Sequence, residues 1–159
     1  VGSEMCIRDS VYPAINQNST QMAVRYTYGG KQYYQIYNLA KGRFINPRNP
    51  VKRICLSATS GDFQGFDLYG TSIYTIEGSP RKSFLLGYDR SRRYQPTKIR
   101  RYNYAVRSKK TITVRGAKTL SFREPEGIKV LAGGQIYMMY VSNTLTNQSC
   151  NIYRVKRKI

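Results

Sequence analysis

Acidic residues are the scarcest chemical groups in this 159-residue sequence, which holds 8 of them against 27 lysines and arginines. Two of them, Glu124 and Glu126, lie close together in the string FREPEG. A pair of carboxyl groups is the machinery of glycoside hydrolysis, with one acting as acid and the other as base or nucleophile. Glu124 and Glu126 are therefore the candidate catalytic residues, and the alternative is a structural role at the ends of strands.

Other catalytic chemistries are excluded by composition, because the chain has no histidine and no tryptophan. Serine and cysteine triads and the usual histidine-containing metal sites need an imidazole. Beyond Cys6, the remaining cysteines are Cys55 and Cys150, too few for a zinc site and too far apart for a CxxC motif. They could form one disulfide in a secreted protein, but two unpaired core residues are the interpretation we favour. No metal and no cofactor is predicted.

Basic residues concentrate between Arg81 and Lys118, where thirteen of them accompany a single acid, Asp89. Within this segment the string DRSRRYQPTKIRRYNY interleaves cations with tyrosines. Arginine suits bidentate contact with phosphate, and tyrosine can stack on sugars or bases. The predicted binding residues are Arg90, Arg92, Arg93, Tyr94, Lys98, Arg100, Arg101 and Tyr102. The alternative is a solvated loop and strand face of a generally cationic protein.

The net charge of +19 implies an anionic partner. Nucleic acid, anionic lipid and the phosphate polymers of a cell wall all belong to this class. The sequence shows no RNP, zinc-finger or helix-turn-helix pattern, which disfavours nucleic acid. No apolar run approaches the length of a transmembrane segment.

The elements that position these residues form a repeat. QGFDLYGTSIYTIEGS (64–79) matches EGIKVLAGGQIYMMYVS (126–142), so that Gln64 and Gly65 correspond to Glu126 and Gly127, 62 positions later. A second match joins QIYNL to NIYRV and places Ile36 116 positions before Ile152. A period near 60 gives about three units. Recurrence favours the structural role for Gln64 and Glu126, because catalytic residues need not recur in each unit.

Each unit is predicted to consist of β-hairpins. Two strand-like runs flank Gly29–Gly30, two more flank Gly133–Gly134, and no segment has the periodicity of a long amphipathic helix. Both faces of the strand beginning at Ile136 are apolar, so we expect it to be covered on both sides. The predicted fold is all-β, with about three antiparallel propeller blades in an incomplete ring, and a plain β-sandwich is the alternative.

The first ten residues, VGSEMCIRDS, differ from everything that follows. They resemble the in-frame translation of a sequencing adapter, and a genuine disordered terminus is the alternative. We therefore expect the natural sequence visible here to be residues 11–159, the C-terminal part of a propeller domain whose N-terminal half is missing.

The strings YPAINQNSTQMAVRYTYG, QGFDLYGTSIYTIEGSPRKSFLLGYD, FREPEGIKV and VSNTLTNQSCNIYRVK resemble the C-terminal half of helveticin J-type class III bacteriocins. The strings around Gln64 and Glu126 are also similar to the wider family of phage receptor-binding proteins and teichoic acid biosynthesis protein C. The resemblance implies a propeller, secretion to the outside of the cell, and binding or killing of related Gram-positive bacteria.

Together these observations predict a secreted, cationic antibacterial protein that binds anionic cell-surface polymers, and they favour binding over catalysis. A nucleic-acid-binding β protein and a glycan-cleaving propeller enzyme acting through Glu124 and Glu126 are the alternatives. The sequence leaves the receptor, the oligomeric state and the killing mechanism open.

Overall fold

The computed structural model of the chain describes residues 11–41, 43, 45–57, 62–78, 96–120, 123–143, 148–156 and 159. The first ten residues, with the predicted binding residues Arg90, Arg92, Arg93 and Tyr94, lie outside these ranges. Over the described residues the backbone forms eleven β-strands and one short 3-10 turn, Ala132–Gly134. No described helix has the length and apolarity needed to span a membrane.

The strands form three sheets in which each strand pairs antiparallel with its neighbour. The first sheet contains β1 (Tyr12–Ile15), β2 (Gln21–Tyr28), β3 (Lys31–Asn38) and β4 (Lys52–Ser57) in that order. The second contains β5 (Phe63–Tyr69), β6 (Ser72–Glu77), β7 (Thr97–Asn103) and β8 (Ser108–Val114). The third contains β9 (Glu124–Leu131), β10 (Gln135–Asn143) and β11 (Gln148–Arg154). The predictions of an all-β chain and of antiparallel pairing are confirmed.

Glycine pairs close two of the hairpins at the predicted places. Gly29 and Gly30 both have positive φ, 56° and 71°, and join β2 to β3 so that Tyr28 pairs with Lys31. Two consecutive positive φ angles are typical of the type I′ turn, whose twist matches that of the strands. Gly133 and Gly134 occupy the turn between β9 and β10 in the same region of φ.

The chain divides into two compact units, Val1–Ala58 and Thr59–Ile159. The first unit contains the first sheet, and one face of that sheet is closed by fully or nearly fully buried side chains. These are Ala23, Tyr34, Ile36 and Ile54. Register explains the grouping, because Ala23 pairs with Ile36, while Tyr34 pairs with Ile54 one row further along the same face.

The second unit contains the second and third sheets, which share one apolar core. Its buried members are Tyr74, Ile76, Ile99, Val130, Ile136, Met138, Tyr140, Val155 and Ile159. They come from β6, β7, β9 and β10 and from the segment after β11. Side chains of two sheets therefore close the core of this unit together.

Strand β10 only partly follows the expectation that both of its faces are covered. Ile136, Met138 and Tyr140 are buried on one face. Tyr137 and Met139 on the other face are half-buried. Apolar residues on both faces therefore coincide with complete burial of one face and partial burial of the other.

One detail of the sequence interpretation is wrong, and one sequence match does not extend to burial. Cys55 and Cys150 are unpaired as expected, but both are exposed rather than in the core, since their side chains point outward from β4 and β11 at sheet edges. The matched residues Ile36 and Ile152 both lie in the third strand of a sheet, yet Ile36 is fully buried and Ile152 is 71% exposed. This short sequence match predicts the place of the strand in its sheet, but it does not predict whether the matched residue is buried.

Candidate functional site

The repeated Gln/Glu-Gly pair lies at the same irregularity in two strands. In β5, Phe63 pairs with Glu77 and Gly65 with Ile76, so that Gln64 has no partner in the ladder. In β9, the residues on either side of Glu126 pair with consecutive residues of β10, so Glu126 likewise has no partner in the ladder. An extra residue of this kind is a β-bulge, which bends the strand and redirects a side chain. The sequence repeat is therefore a repeated bulge.

Strands β5 and β9 lie side by side, although they belong to different sheets. The Asp67 carboxylate accepts from Lys129 Nζ at 2.9 Å and from the Val130 backbone N–H at 2.7 Å. A Cβ built on Gly65 would lie 3.4 Å from the Gly127 Cα atom. These pairs are 62 or 63 positions apart, so the two strands run in the same direction at the offset of the sequence repeat.

The candidate catalytic carboxyl groups lie at this junction. Glu124 is half-buried, and its Oε1 lies 3.3 Å from Gln64 Nε2 of the second sheet. The same Gln64 amide nitrogen donates to the Gly78 carbonyl at 2.8 Å. Glu126, in contrast, is exposed. Gln64 thus bridges two sheets, which matches the structural interpretation of the repeat, with Glu124 rather than Glu126 as the partner.

Strand alternation divides the described part of the predicted basic patch. Lys98, Arg100 and Tyr102 occupy one face of β7, and Arg101 occupies the other, since successive side chains of a strand point to opposite faces. Arg100 and Arg101 are also only half-exposed. The four described residues of the predicted patch therefore do not share one exposed face.

Arg100 is tied to a buried carboxylate. Its Nε lies 3.0 Å from Glu77 Oε1, with the Glu77 side chain 1% exposed and that of Arg100 34%. Burial raises the pKa of the Glu77 carboxyl, while Arg100 and the Thr75 hydroxyl act in the opposite direction. Glu77 Oε2 is buried without a hydrogen-bond partner among the described residues. Sequence reasoning gave Glu77 no role, because its partner lies 23 residues away across β6 and β7.

Arg101 contributes to a cavity of about 410 Å³ in the second unit. The cavity lies between the turns at Gly70–Thr71 and Gly133–Gly134, with Tyr69 and Tyr74 among its walls. Arg101 donates from Nε to Ser72 Oγ at 3.1 Å and from Nη1 to the Ile159 carbonyl oxygen at 3.3 Å. Two of its nitrogens are thus engaged within the protein, which limits what this guanidinium can offer a ligand.

A buried arginine, Arg123, holds the end of β7 to β10. Its Nη2 donates to Thr97 Oγ1 at 2.9 Å and to the Tyr140 hydroxyl, and its guanidinium carbon lies 4.1 Å from the centre of the Tyr140 ring. The Tyr140 hydroxyl is 2.9 Å from Thr97 Oγ1, and burial raises the pKa of this phenol. This network was not found from the sequence, because nothing in the sequence around Arg123 marks this arginine as buried.

Nearly all of the exposed charged residues that the structure describes are basic. Exposed basic residues are Lys31, Lys41, Arg43, Arg48, Lys52, Arg53, Arg107, Lys109, Lys110, Arg115, Lys118, Lys129, Arg154 and Lys156. Among the described residues, the only exposed acids are Asp62 and Glu126. Asp67 and Glu77 are buried and Glu124 is half-buried, so three of the five described acids contribute little charge to the surface.

On the last two strands of the second sheet, one pair of like charges lies directly opposite. Arg101 pairs with Lys110, and Tyr102 pairs with Lys109, whose Nζ lies 5.8 Å from the ring centre. Like charges opposite each other on neighbouring strands destabilise a sheet. We call Lys98, Arg100, Arg101, Lys109 and Lys110 the cationic strand pair.

Comparison with known proteins adds no family assignment. The chain matches no protein-family model, and no curated protein matches it significantly.

Proposed function

We propose that this chain is the C-terminal part of a secreted antibacterial protein that binds the anionic polymers of bacterial cell walls. The observation that carries the proposal is the distribution of charge. Among the described residues, fourteen basic residues are exposed but only two acidic residues are. The other described acids are directed inward, where they join strands and sheets. A surface of this kind attracts polyanions and repels other cationic surfaces.

Lys109 and Lys110 of the cationic strand pair are the part of this surface that binding would use first. Lys109 and Lys110 are exposed on the edge strand β8, and Lys110 lies directly opposite Arg101, a pairing of like charges that disfavours the sheet. A charge arrangement that costs stability is better explained by binding than by folding. Several cations that contact a linear polyphosphate release its counterions, so affinity should fall steeply as salt rises.

The proposed architecture is a β-propeller, of which the three sheets would be consecutive blades. Support comes from β5 and β9, which run in the same direction at the repeat offset with matched bulges. Strands of successive blades in a ring repeat this relationship at each step. The resemblance to helveticin J-type bacteriocins supports the same fold, with secretion and action on related Gram-positive cells.

The test is binding to purified walls of a lactic acid bacterium across a salt series. We expect strong binding at about 50 mM salt and a large loss at about 200 mM. Walls stripped of their phosphate polymers with hydrofluoric acid should bind little protein at either salt concentration. Equal binding to stripped and intact walls would contradict the proposal.

A pair of double variants locates the binding surface. Replacing Lys109 and Lys110 by glutamine should weaken wall binding and flatten its salt dependence. The matched control replaces Arg154 and Lys156, which are also exposed but lie in and after β11, and removes the same charge. Retention of single-stranded nucleic acid in preference to walls at matched ionic strength would favour the nucleic-acid alternative.

A further inference from the structure

The first unit carries seven basic residues and no acidic residue between positions 11 and 57. One of them, Arg25, is buried, with its guanidinium 5.6 Å from the centre of the Tyr12 ring. Among the described residues of this unit, the exposed cations therefore have no carboxylate to pair with. A ligand that meets this part of the sheet meets a positively charged surface.

On the face opposite Tyr34 and Ile36, two neighbouring rows of side chains form a groove. One row is Tyr26, Tyr33 and Cys55, which pair across β2, β3 and β4. The adjacent row places Gln35 opposite Arg53. These residues line a cavity of about 260 Å³. This volume is below the usual range for drug-sized ligands. The cavity therefore has room for one ring and its substituent.

Aromatic rings form one wall of the groove. Tyr26 and Tyr33 stack with their ring centres 5.2 Å apart and their planes 10° from parallel. A tyrosine phenol is neutral at physiological pH, and desolvation and the neighbouring Cys55 thiol raise the pKa of the Tyr33 phenol further. The wall therefore offers apolar ring surface without a negative charge that would repel an anion.

Polar groups form the remainder of the groove. The Gln35 amide oxygen accepts from the Tyr37 hydroxyl, which also lies 3.0 Å from the Pro47 carbonyl oxygen. This contact leaves the Gln35 amide nitrogen to donate to a ligand. Arg53 is exposed and uses one nitrogen, Nη2, to contact the Arg48 carbonyl at 3.0 Å. Its other guanidinium nitrogens can contact a phosphate or carboxylate oxygen.

We infer that this groove binds a sugar ring carrying a negatively charged group, such as a hexose phosphate unit of a wall polymer. The ring would pack against the tyrosine stack, its hydroxyls would contact Gln35, and its anionic group would contact Arg53. This inference rests on the proposed function and names the chemical unit that one part of the cationic surface recognises. Single-stranded nucleic acid fits less well, because Tyr26 and Tyr33 already cover one face of each other and the groove holds one ring.

The experiment is a titration of the whole chain with α-D-glucose 1-phosphate, followed by saturation-transfer NMR and calorimetry. Saturation should pass to the sugar ring protons, because the ring contacts the tyrosines. Glucose and inorganic phosphate, tested separately, should each bind more weakly than the sugar phosphate. Phosphate binding as tightly as the sugar phosphate, or a thymidine oligonucleotide displacing it at lower concentration, would overturn the inference.

Two matched pairs of variants locate the contacts. Arg53→Gln should weaken sugar phosphate binding about tenfold. Its control, Lys52→Gln, removes the same charge from the opposite face and should change binding by less than about twofold. Tyr33→Leu should weaken binding by about tenfold. Its control is Tyr28→Leu, at a position that is 73% exposed and outside the groove.

Equal losses for Arg53→Gln and Lys52→Gln would mean general charge attraction and would overturn the groove site. The proposed function is tested separately by wall binding. If the sugar phosphate does not bind but walls still do, the groove inference alone fails. If the walls do not bind but the sugar phosphate does, the proposed function fails while the groove remains a sugar phosphate site.

Discussion

Asp67 and Lys129 are equivalent residues of the sequence repeat, and they contact each other: the Asp67 carboxylate lies 2.9 Å from Lys129 Nζ. The same carboxylate accepts the Val130 N–H from the neighbouring strand. Asp67 is buried, whereas the Lys129 side chain is 49% exposed. The Asp67 carboxylate of the second sheet thus takes the place of a strand partner for the Val130 N–H of the third sheet. Two equivalent positions of the sequence repeat are therefore in direct contact.

Removing the Asp67 carboxylate should therefore destabilise the second unit. Asp67→Ala leaves the buried Val130 N–H without its acceptor, and we expect a loss of about 1–3 kcal/mol in the free energy of unfolding. Lys129→Met should cost less, about 1 kcal/mol, because the ammonium is half-exposed to water and the Val130 N–H keeps its acceptor. Urea unfolding followed by circular dichroism measures both, with Asp62→Ala as the exposed control. A larger loss for Lys129→Met than for Asp67→Ala would contradict this interpretation.

Gly78 should tolerate alanine less well than Gly127 does. A Cβ on Gly78 would lie 3.0 Å from Cγ of Pro125, a fully buried residue of β9. A Cβ on Gly127 would meet only the flexible Met139 side chain, at 3.8 Å. We expect Gly78→Ala to cost about 1–3 kcal/mol, since overpacking forces a rigid neighbour to move. Thermal unfolding of the two variants compares them directly, and a Gly127→Ala protein that is the less stable of the pair would refute the prediction.

The raised pKa of Glu77 makes stability depend on pH. The native state holds the Glu77 proton to higher pH than the unfolded chain, whose carboxyl titrates near the ordinary value of 4.5. Between the unfolded and the native pKa of Glu77, the native state therefore binds more protons than the unfolded chain does. The stabilisation that this gives is fully present below the unfolded pKa and is lost as pH rises through the native pKa. We expect Glu77→Gln to remove this decline.

Unfolding in urea at about pH 4 and about pH 7 tests the Glu77 prediction. As pH rises, the free energy of unfolding of the wild type should fall relative to that of Glu77→Gln. Glu126→Gln is the control, because Glu126 is exposed. If the free energy of unfolding of the wild type instead rises relative to that of the variant, the ion pair with Arg100 has a larger effect on the Glu77 pKa than burial has.

The Tyr140 hydroxyl should contribute more to stability than that of Tyr153. The first donates to Thr97 and accepts from the buried Arg123, and it is fully buried. Tyr153 is half-buried, and its ring meets the Tyr140 ring edge-on at 5.8 Å. We expect Tyr140→Phe to cost about 1–3 kcal/mol and Tyr153→Phe less than about 1 kcal/mol, measured by chemical denaturation. Equal costs would show that Arg123 does not depend on this hydroxyl.

Local features of the sequence determined the strands, the hairpins and the repeat. The φ angles of Gly29 and Gly30, the tyrosine and β-branched content of the flanking runs, and the 62-residue offset of Gln64 and Glu126 are properties of short segments. Backbone sterics and side-chain alternation act over a few residues, so the sequence can specify them directly. The excess of cations likewise follows from composition alone.

The tertiary structure alone decided the role of each charged or cysteine residue. Glu77 and Arg100 meet across two strands, Gln64 meets Glu124 between two sheets, and Cys55 and Cys150 face outward from edges. The groove beside Arg53 likewise exists only because three strands bring its rows together. Burial and partners depend on which segments pack together, and the electrostatic free energy of a charged group depends on both. Residues of the same type, such as Arg53 and Arg100, therefore look alike in the sequence and differ only in the folded chain.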